Sequence, residues 1–291
     1  MTKTEHPASR VTVGPVAPRE VMPGLFVSPD ADALARAAAR YFVEWAWQAI
    51  AEDGRFFVAL SGGTTPEAFF RVLATQDFRT QVDWGRVEFF WGDERPVPPD
   101  SKESNYGNAR RELLIRIPIP NENVHRMEAD RPNMGRAAQE YEDLLREKLP
   151  LDSRGFPRFH LVLLGLGPEG HTASLFPGLR GMRETSRWVS TPLITKLGTR
   201  RMTLTLPVLN AAHRAAFMVS GAEKAEILYR LMSRPSDPPL PAQLVTVPDG
   251  KRVVLCDEPA AKLILDEISK KGHFVGEHGS KTGQSHPHAK K

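Results

Sequence analysis

Short apolar runs of strand length alternate with stretches of helical periodicity along most of this 291-residue chain. The run Phe56–Leu60 is apolar at every position, as expected of a strand buried on both faces. The other predicted strands are Val87–Trp91, Phe159–Leu164, Met202–Leu206, Ala216–Ser220 and Arg252–Cys256. Buried strands that are joined through helices form a parallel sheet covered on both sides. The sequence therefore predicts an α/β fold with a mostly parallel sheet and helices on both faces.

A first helix is predicted between Asp30, which can cap its first turn, and Gly54, which can end it. An apolar stripe at helical spacing consists of Leu34, Ala38, Tyr41 and Trp45, so one face of this helix points inward. Further helices are predicted over Gly135–Leu149, Ala222–Met232 and Asp257–Lys271. Ligands of such sheets bind beyond the carboxyl ends of the strands, so functional residues are expected in the loops that follow them.

Charge and composition narrow the class of function. Lysine and arginine outnumber aspartate and glutamate by 39 to 35, and these residues are scattered along the chain. A net charge of +4 is too small to indicate a nucleic-acid groove, although it suits an anionic metabolite. No apolar run approaches the roughly 18 residues of a membrane span, and the start of the chain lacks the apolar core of a secretory signal. We therefore expect a cytoplasmic protein with neither nucleic-acid nor membrane partners.

Cys256 is the only cysteine of the chain. A single cysteine excludes an intrachain disulfide and suits a reducing compartment. Because it ends the apolar run Val253–Leu255, we interpret it as a small buried hydrophobic residue and not as a nucleophile.

Both ends of the chain are predicted to lie outside the fold. Residues 1–24 hold four prolines and little apolar periodicity, which indicates a flexible N-terminal arm. Residues 272–291 are rich in Gly, Ser, Lys and His and are predicted to form a disordered tail, with weak adventitious metal binding as the less favoured alternative. The intervening residues 25–271 are predicted to form a single α/β domain.

The loop Ser61–Pro66 follows the first buried strand and carries two adjacent glycines, Gly62 and Gly63, before Thr64 and Thr65. Glycines let the backbone turn sharply, and the free N–H groups at a helix start attract an anion. We expect Thr65 to cap the following helix and Pro66 to be its first residue. The loop lacks the Gly-Lys-Ser/Thr ending of a nucleotide-binding loop, which favours a phosphorylated metabolite. A glycine turn with a good cap is an equally weighted alternative.

The loop Trp91–Arg95 follows the next strand and places Asp93, Glu94 and Arg95 at the same edge of the sheet. These charges either satisfy one another as an ion-pair cluster, or Arg95 faces an anionic substrate while the acids orient it or a neighbouring helix. Downstream, Ser104 can cap a helix that begins at Asn105, whose amide is expected to face the same crevice.

A third loop carries the most informative pattern, Gly165-Leu166-Gly167-Pro168-Glu169-Gly170-His171. Its glycines formally match the dinucleotide fingerprint G-x-G-x-x-G. We reject that match because Pro168 occupies the turn, no long helix opens before Pro177, and no strand ending in an acid follows at about twenty residues. The glycines instead bring His171 to the strand end, where an imidazole can transfer a proton and Glu169 can shape its surroundings. A lone histidine is otherwise more often structural.

Three motifs in this order, SGGTTP, WGDERPVPPDSKESNYGNA and LLGLGPEGHTASLFPG, together with RMTLTLPVLN and GAEKA, resemble those of the 6-phosphogluconolactonases, relatives of the glucosamine-6-phosphate deaminases. The resemblance covers about residues 25–270 and implies a modified Rossmann-like sheet. The sibling deaminases carry His-Ile-Ala-Phe-Asn and Asp-Glu-Tyr where this chain has His-Thr-Ala-Ser-Leu-Phe-Pro and Asp-Glu-Arg, which favours the lactonase. The family usually has Asp at the position of Glu169.

The resemblance implies hydrolysis of 6-phospho-D-glucono-1,5-lactone to 6-phosphogluconate, a step of the oxidative pentose phosphate pathway. His171 is the implied general base, assisted by Glu169. A positioned general base that activates water is expected to suffice without a metal, cofactor or covalent intermediate. Ser61 and Ser174 lack a Gly-x-Ser-x-Gly elbow, which argues against a serine esterase mechanism. The implied substrate contacts are Gly62, Gly63, Thr64, Thr65, Asp93, Arg95, Asn105, Lys196, Arg201 and Lys224.

For the three downstream cations, alternatives to phosphate contact remain open at this point. Lys196 can instead be a mobile surface lysine, Arg201 a solvated residue at a strand start, and Lys224 a helix-surface charge paired with a neighbouring glutamate. Two other functions also remain: a glucosamine-6-phosphate deaminase or isomerase, and a sugar-phosphate-binding regulator without activity. The chain is expected to be a monomer or a weak homo-oligomer.

Overall fold

The computed structural model describes residues 17–179, 182, 184–235, 237–248 and 251–275. Its strands are β1 (Arg19–Met22), β2 (Leu25–Ser28), β3 (Phe56–Leu60), β4 (Val87–Trp91), β5 (Asp93–Glu94), β6 (Leu161–Leu164), β7 (Val189–Ser190), β8 (Leu193–Ile194), β9 (Thr199–Arg200), β10 (Met202–Leu204), β11 (Ala215–Val219) and β12 (Arg252–Asp257). Its α-helices are α1 (Ala31–Asp53), α2 (Thr64–Leu73), α3 (Gln76–Arg79), α4 (Asn105–Glu112), α5 (Met134–Lys148), α6 (Leu206–Leu209), α7 (Ala225–Met232) and α8 (Glu258–Lys271).

A seven-stranded sheet in the order β1-β2-β12-β11-β6-β3-β4 forms the centre of the protein. Every neighbouring pair is parallel except β1 with β2. All five residues of β3 and all five of β4 are buried, in keeping with a sheet that helices cover on both faces. The predicted α/β fold with a mostly parallel sheet is confirmed.

Of three predicted strands, two are confirmed with their bounds and one is assigned to the wrong sheet. Phe56–Leu60 and Val87–Trp91 have the predicted bounds. The assignment of Met202–Leu206 to the parallel sheet is wrong, because only Met202–Leu204 are extended and they pair antiparallel with β5 and β7 in a separate small sheet. The strand stops there because Pro207 stands in the first turn of α6, where its fixed φ suits a helix.

Helix α1 has the predicted ends. The Asp30 carboxylate accepts a hydrogen bond from the Ala33 amide at 2.8 Å, and Gly54 ends the helix with a left-handed φ of 75°. Leu34, Ala38 and Trp45 of the predicted stripe are buried. None of the described helices is long and apolar enough to cross a membrane.

The ends of the domain extend beyond the predicted bounds. Residues 19–22, assigned from the sequence to the flexible arm, form β1 and pair with β2. At the other end, the ring of Phe274 packs edge-on against Tyr229 with ring centres 5.3 Å apart. The predicted arm over residues 1–16 and the predicted tail over residues 276–291 lie outside the described residues.

Cys256 lies in β12 and is fully buried. Burial raises the pKa of its thiol to about 12, so the thiol stays protonated at neutral pH. A protonated thiol in the core is a poor nucleophile, which agrees with its interpretation as a small hydrophobic residue.

At the amino edge of the sheet, a buried histidine joins β3 to β6. The Phe57 amide donates a hydrogen bond to Nδ1 of His160 at 3.0 Å, and Nε2 of His160 lies 2.9 Å from the Asp53 carboxylate. Because Nδ1 accepts the amide proton, Nε2 carries the ring proton and donates it to Asp53. The imidazole therefore satisfies a buried backbone N–H that the strand ladder leaves open.

We expect His160→Leu to lower the free energy of unfolding by about 1–3 kcal/mol, because the Phe57 amide loses its acceptor. Urea unfolding of the purified protein measures the change. His160→Asn is the matched control, since an asparagine oxygen can take the place of Nδ1. Equal stabilities of the two variants would show that this hydrogen bond contributes nothing.

Candidate active site

The loops that follow β3, β4, β6 and β11 surround one cleft of about 300 Å³ at the carboxyl edge of the sheet. The predicted site residues that line the cleft are Gly62, Gly63, Thr64, Thr65, Asp93, Arg95, Asn105, His171 and Lys224. Glu169, Lys196 and Arg201 stand outside this lining and act on it through contacts or charge. The parallel topology explains the convergence, because the carboxyl ends of parallel strands share one edge.

The glycine turn after β3 leads into α2 without a side-chain cap. Gly63 is the N-cap residue, with a φ of 107°, and the helix begins at Thr64. The prediction that Thr65 caps the helix is therefore wrong, since Thr65 is already its second residue. Among the described residues no side chain caps the first turn of α2, so its first amides can bind an anion. This geometry favours the phosphate cradle over the alternative of a well-capped turn.

Gly62 is required by a side chain from another loop. A Cβ atom at this position would lie 1.7 Å from Oδ1 of Asn105. Asn105 is itself buried, and its Nδ2 donates to the backbone carbonyl and the carboxylate of Asp93 at 2.8 and 3.2 Å. The glycine turn and the Asp93 loop thus meet through one asparagine.

Glu94 holds the start of α4 in place. Its buried carboxylate accepts hydrogen bonds from the amides of Arg95, Asn105 and Tyr106, each at 2.8 Å, and from the Ser104 hydroxyl at 3.0 Å. Burial raises the pKa of Glu94, and these hydrogen bonds oppose the rise. With its oxygens occupied, Glu94 orients the neighbouring helix, as one of the two sequence-based accounts predicted.

Asp93 and Arg95 are not paired with each other in the described part of the chain. Asp93 accepts a hydrogen bond from the Ser174 hydroxyl at 2.6 Å, and Arg95 donates to the backbone carbonyl of Glu103 at 2.6 Å. The alternative of a self-satisfied ion-pair cluster therefore does not describe this loop. Arg95 faces the cleft with its charge unneutralised by a direct carboxylate partner among the described residues.

The glycines of the third loop make room for His171. A Cβ atom on Gly167 would lie 2.0 Å from the imidazole, and the Gly167 amide donates to the His171 carbonyl at 2.9 Å. Gly170 has a φ of 80°, which turns the chain immediately before the histidine. On its other face, the imidazole stacks on Phe176 with ring centres 4.0 Å apart.

The His171 imidazole is neutral at physiological pH. Burial is the largest cause that lowers its pKa to about 4; Asp93 opposes this shift, and the cations Lys224, Arg201 and Arg95 contribute to it. Glu169 Oε2 lies 2.9 Å from Nδ1 of the imidazole. An ionised carboxylate only accepts hydrogen bonds, so Nδ1 carries the proton and Nε2 keeps the lone pair that can accept one.

The three downstream cations have different places. Lys224 is half-buried and donates to the Leu166 carbonyl at 2.9 Å, so it is not a surface charge paired with a neighbouring glutamate. Arg201 is also half-buried, and burial and then the charge of Arg95 lower its pKa. Two guanidinium groups that repel each other in this way are stabilised by an anion between them. Lys196 forms an ion pair with Glu169, and its predicted contact with a phosphate stays a prediction.

Several lining residues were missed from the sequence. Ser220 follows β11 at the same edge of the sheet, so the strand-end rule that selected the other loops also applied to it. Ala173 has a φ of 46°, an uncommon value for a residue with a side chain. Nothing in the sequence around Ala173 indicates this backbone conformation. Phe176 belongs to the third motif, but the sequence does not indicate that its ring stacks on His171.

A second group of potential ligands lies at the amino edge, far along the strands from the cleft. Asp53, His160 and His213 have ligand atoms within 4.8 Å of one another, the one such group among the described residues. His160 is unsuited to bind a metal there, because its Nδ1 accepts the Phe57 amide and its Nε2 bears the proton. This cluster is explained by its hydrogen bonds to the sheet.

An uncapped glycine turn and an unprotonated histidine, facing each other at the carboxyl edge of a parallel sheet, define a class of α/β proteins built to bind and act on small anions. The family model of "Glucosamine-6-phosphate isomerases/6-phosphogluconolactonase" matches residues 29–255. The chain belongs to this family.

Its relatives cover most of its length. The chain is 36% identical over 243 residues to the probable 6-phosphogluconolactonase 3, chloroplastic, of Oryza sativa subsp. indica. The aligned part spans 79% of this chain and 73% of the relative. It is 37% identical over 216 residues to the 6-phosphogluconolactonase of Synechocystis, spanning 74% and 87%. The solved 6-phosphogluconolactonase of Trypanosoma brucei superposes with a TM-score of 0.76 at 29% identity, covering 84% of this chain and 100% of that one.

We expect Gly62→Ala to weaken binding of inorganic phosphate at least about tenfold, because the new Cβ displaces Asn105 and the turn that faces the anion. Isothermal titration calorimetry measures the affinity. Gly135→Ala is the control, since a Cβ atom on this helical glycine would lie 3.6 Å from its nearest neighbour, an ordinary van der Waals distance. Unchanged phosphate affinity in Gly62→Ala would remove the turn from the anion site.

Proposed function

We propose that this protein hydrolyses 6-phospho-D-glucono-1,5-lactone to 6-phosphogluconate. The observation that carries the proposal is the shared cleft, in which the His171 imidazole faces the uncapped turn Gly62–Thr65. A base and an anion site that line the same cleft suit an ester that is bound through a remote phosphate. The names of the relatives agree with this substrate.

The reaction needs one proton acceptor and no covalent intermediate. Nε2 of His171 takes a proton from water as the water oxygen attacks the lactone carbonyl carbon. The resulting tetrahedral intermediate collapses with cleavage of the bond between that carbon and the ring oxygen. The imidazolium then returns its proton to the ring oxygen, which becomes the hydroxyl of the open-chain acid. The new carboxyl group releases its own proton to solvent.

The pKa of His171 suits the first step. An imidazole with a pKa of about 4 is almost entirely in the base form at neutral pH. The cations that depress this pKa also favour the developing negative charge of the tetrahedral intermediate and the phosphate of the substrate. Arg95, Arg201 and Lys224 thereby assist substrate binding and also keep the imidazole unprotonated.

Serine nucleophiles fit the site less well. Ser174 is 2% exposed, and its hydroxyl donates to Asp93 at 2.6 Å, so its proton is directed away from the imidazole. Cys256 is buried in β12 with a protonated thiol. Water is therefore the proposed nucleophile, positioned by the substrate-bound cleft.

The proposal also includes the domain organisation, the cellular setting and the oligomeric state of the protein. The predicted domain over residues 25–271, extended by β1 and Phe274, acts as one unit, a view supported by a continuous core in which α1, α2 and the sheet share contacts. A cytoplasmic setting is supported by the single buried thiol, and a monomer or weak homo-oligomer by the small number of large apolar side chains that are exposed in the described regions. The charge distribution gives no support for nucleic-acid binding.

A coupled assay tests the function directly. Glucose-6-phosphate dehydrogenase supplies the lactone, and the formation of 6-phosphogluconate is timed with and without the protein, above spontaneous hydrolysis. We expect His171→Ala to lower kcat by about 10²–10⁴-fold while the unfolding transition is retained, as is typical for loss of a general base. His213→Gln, at the opposite edge of the sheet, is the control. Full activity of His171→Ala would remove this residue from the mechanism, and ammonia release from glucosamine 6-phosphate would favour the deaminase.

The titration of His171 provides a pH test. Its pKa is lowered, so the neutral form persists from pH 7 down to about 4, and below that the imidazole is protonated and kcat falls. NMR of the free protein, with the signal assigned from its loss in His171→Ala, should show a midpoint near 4. Lys224→Met should raise this midpoint, because a nearby cation is removed. A midpoint at or above the ordinary histidine value would contradict the assignment of a neutral base.

A further inference from the structure

Lys196 lies on a small hairpin beside the cleft. Strands β8 and β9 pair antiparallel, and the short 3-10 turn Thr195–Leu197 between them carries this lysine. Its Nζ forms an ion pair with Oε1 of Glu169 and lies 5.2 Å from the centre of the Phe176 ring. The resemblance placed this cation on the substrate phosphate, whereas its partners in the structure are the side chains that surround His171.

Glu169 divides its carboxylate between two partners. Oε1 meets Lys196, and Oε2 lies 2.9 Å from Nδ1 of His171. The second contact decides which imidazole nitrogen is protonated, and therefore which one can accept a proton from water. The first contact limits the freedom of the carboxylate, which otherwise could rotate away from the ring.

Phe176 contacts both the His171 imidazole and the Lys196 ammonium. Its ring stacks on the His171 imidazole at 4.0 Å and with an angle of 23° between the planes, and the Lys196 ammonium lies over the same ring. Aromatic stacking and a cation–π contact hold both groups against one buried side chain. Lys196, Glu169 and Phe176 thus form a frame around the imidazole.

We infer that Lys196 is a positioning residue, which holds the Glu169 carboxylate so that His171 keeps the tautomer and orientation required for proton transfer. The catalytic part of this inference rests on the proposed function, while the contact itself concerns the free protein. The Lys196 side chain is 55% exposed. Ion pairs at such sites contribute little to folding stability, so the effect of Lys196 is on the reactivity of the histidine.

The length of the acid is part of the inference. A glutamate side chain reaches both the imidazole and the lysine, whereas an aspartate is shorter by one carbon–carbon bond of about 1.5 Å. Glu169→Asp should therefore keep only one of the two contacts.

A double-mutant cycle on lactone hydrolysis tests the role. We expect Lys196→Met to lower kcat about three- to tenfold with little change in KM, because a positioning contact acts on the chemical step. In a Glu169→Gln background the same substitution should have no further effect, since the carboxylate through which it acts is gone. Lys262→Met is the matched control, because this exposed lysine pairs with Asp266 on α8. A higher KM at unchanged kcat, or an equal loss in both backgrounds, would overturn the inference.

An NMR measurement separates this inference from the proposed function. The wild-type imidazole of His171 should show its proton on Nδ1. In Lys196→Met the share of this Nδ1-protonated tautomer at neutral pH should fall, because a carboxylate without its ammonium partner can rotate away from Nδ1. A fall in a protein that hydrolyses no lactone would leave the frame intact and reject the function. An unchanged tautomer in an active enzyme would reject the frame.

Discussion

The parallel pairing of β3 with β6, and of β6 with β11, is the constraint on which the cleft depends. Parallel strands end at the same edge, so the loops that follow them meet although they are far apart in sequence. The glycine turn and the histidine loop face each other for this reason. The Phe57–His160 hydrogen bond secures the same strands at their amino ends, away from the chemistry.

One set of charges explains both binding and reactivity. Arg95, Arg201 and Lys224 stand near the imidazole, and together with burial they keep it unprotonated. The same cations attract an anionic substrate. Protonation of His171 would add a fourth positive charge beside these three cations, which costs free energy. The same residues that attract phosphate therefore also keep the imidazole in its neutral form.

Close approach between backbone and side chain gives the cleft its shape. Gly62 touches Asn105, and Gly167 touches His171, at distances that no side chain on either glycine allows. Hydrogen bonds then relate the loops to one another: Asn105 reaches Asp93, and Asp93 reaches Ser174. The acid that follows, Glu94, is used for holding α4 and is unavailable for chemistry. Neighbouring carboxylates in one loop thus have different functions because their hydrogen-bond partners differ.

The sequence by itself determined the parallel α/β fold, the capped helix α1 and the three loops of the site, because these depend on local patterns: apolar runs, a capping aspartate and glycines after strands. Tertiary structure decided the rest. The antiparallel pairing of β10 and the docking of β1 depend on distant partners, which local patterns do not contain. Lys196 shows the limit most clearly, since the family resemblance implied a phosphate ligand at this position, and only the packing of its hairpin beside the histidine loop gave it Glu169 as a partner.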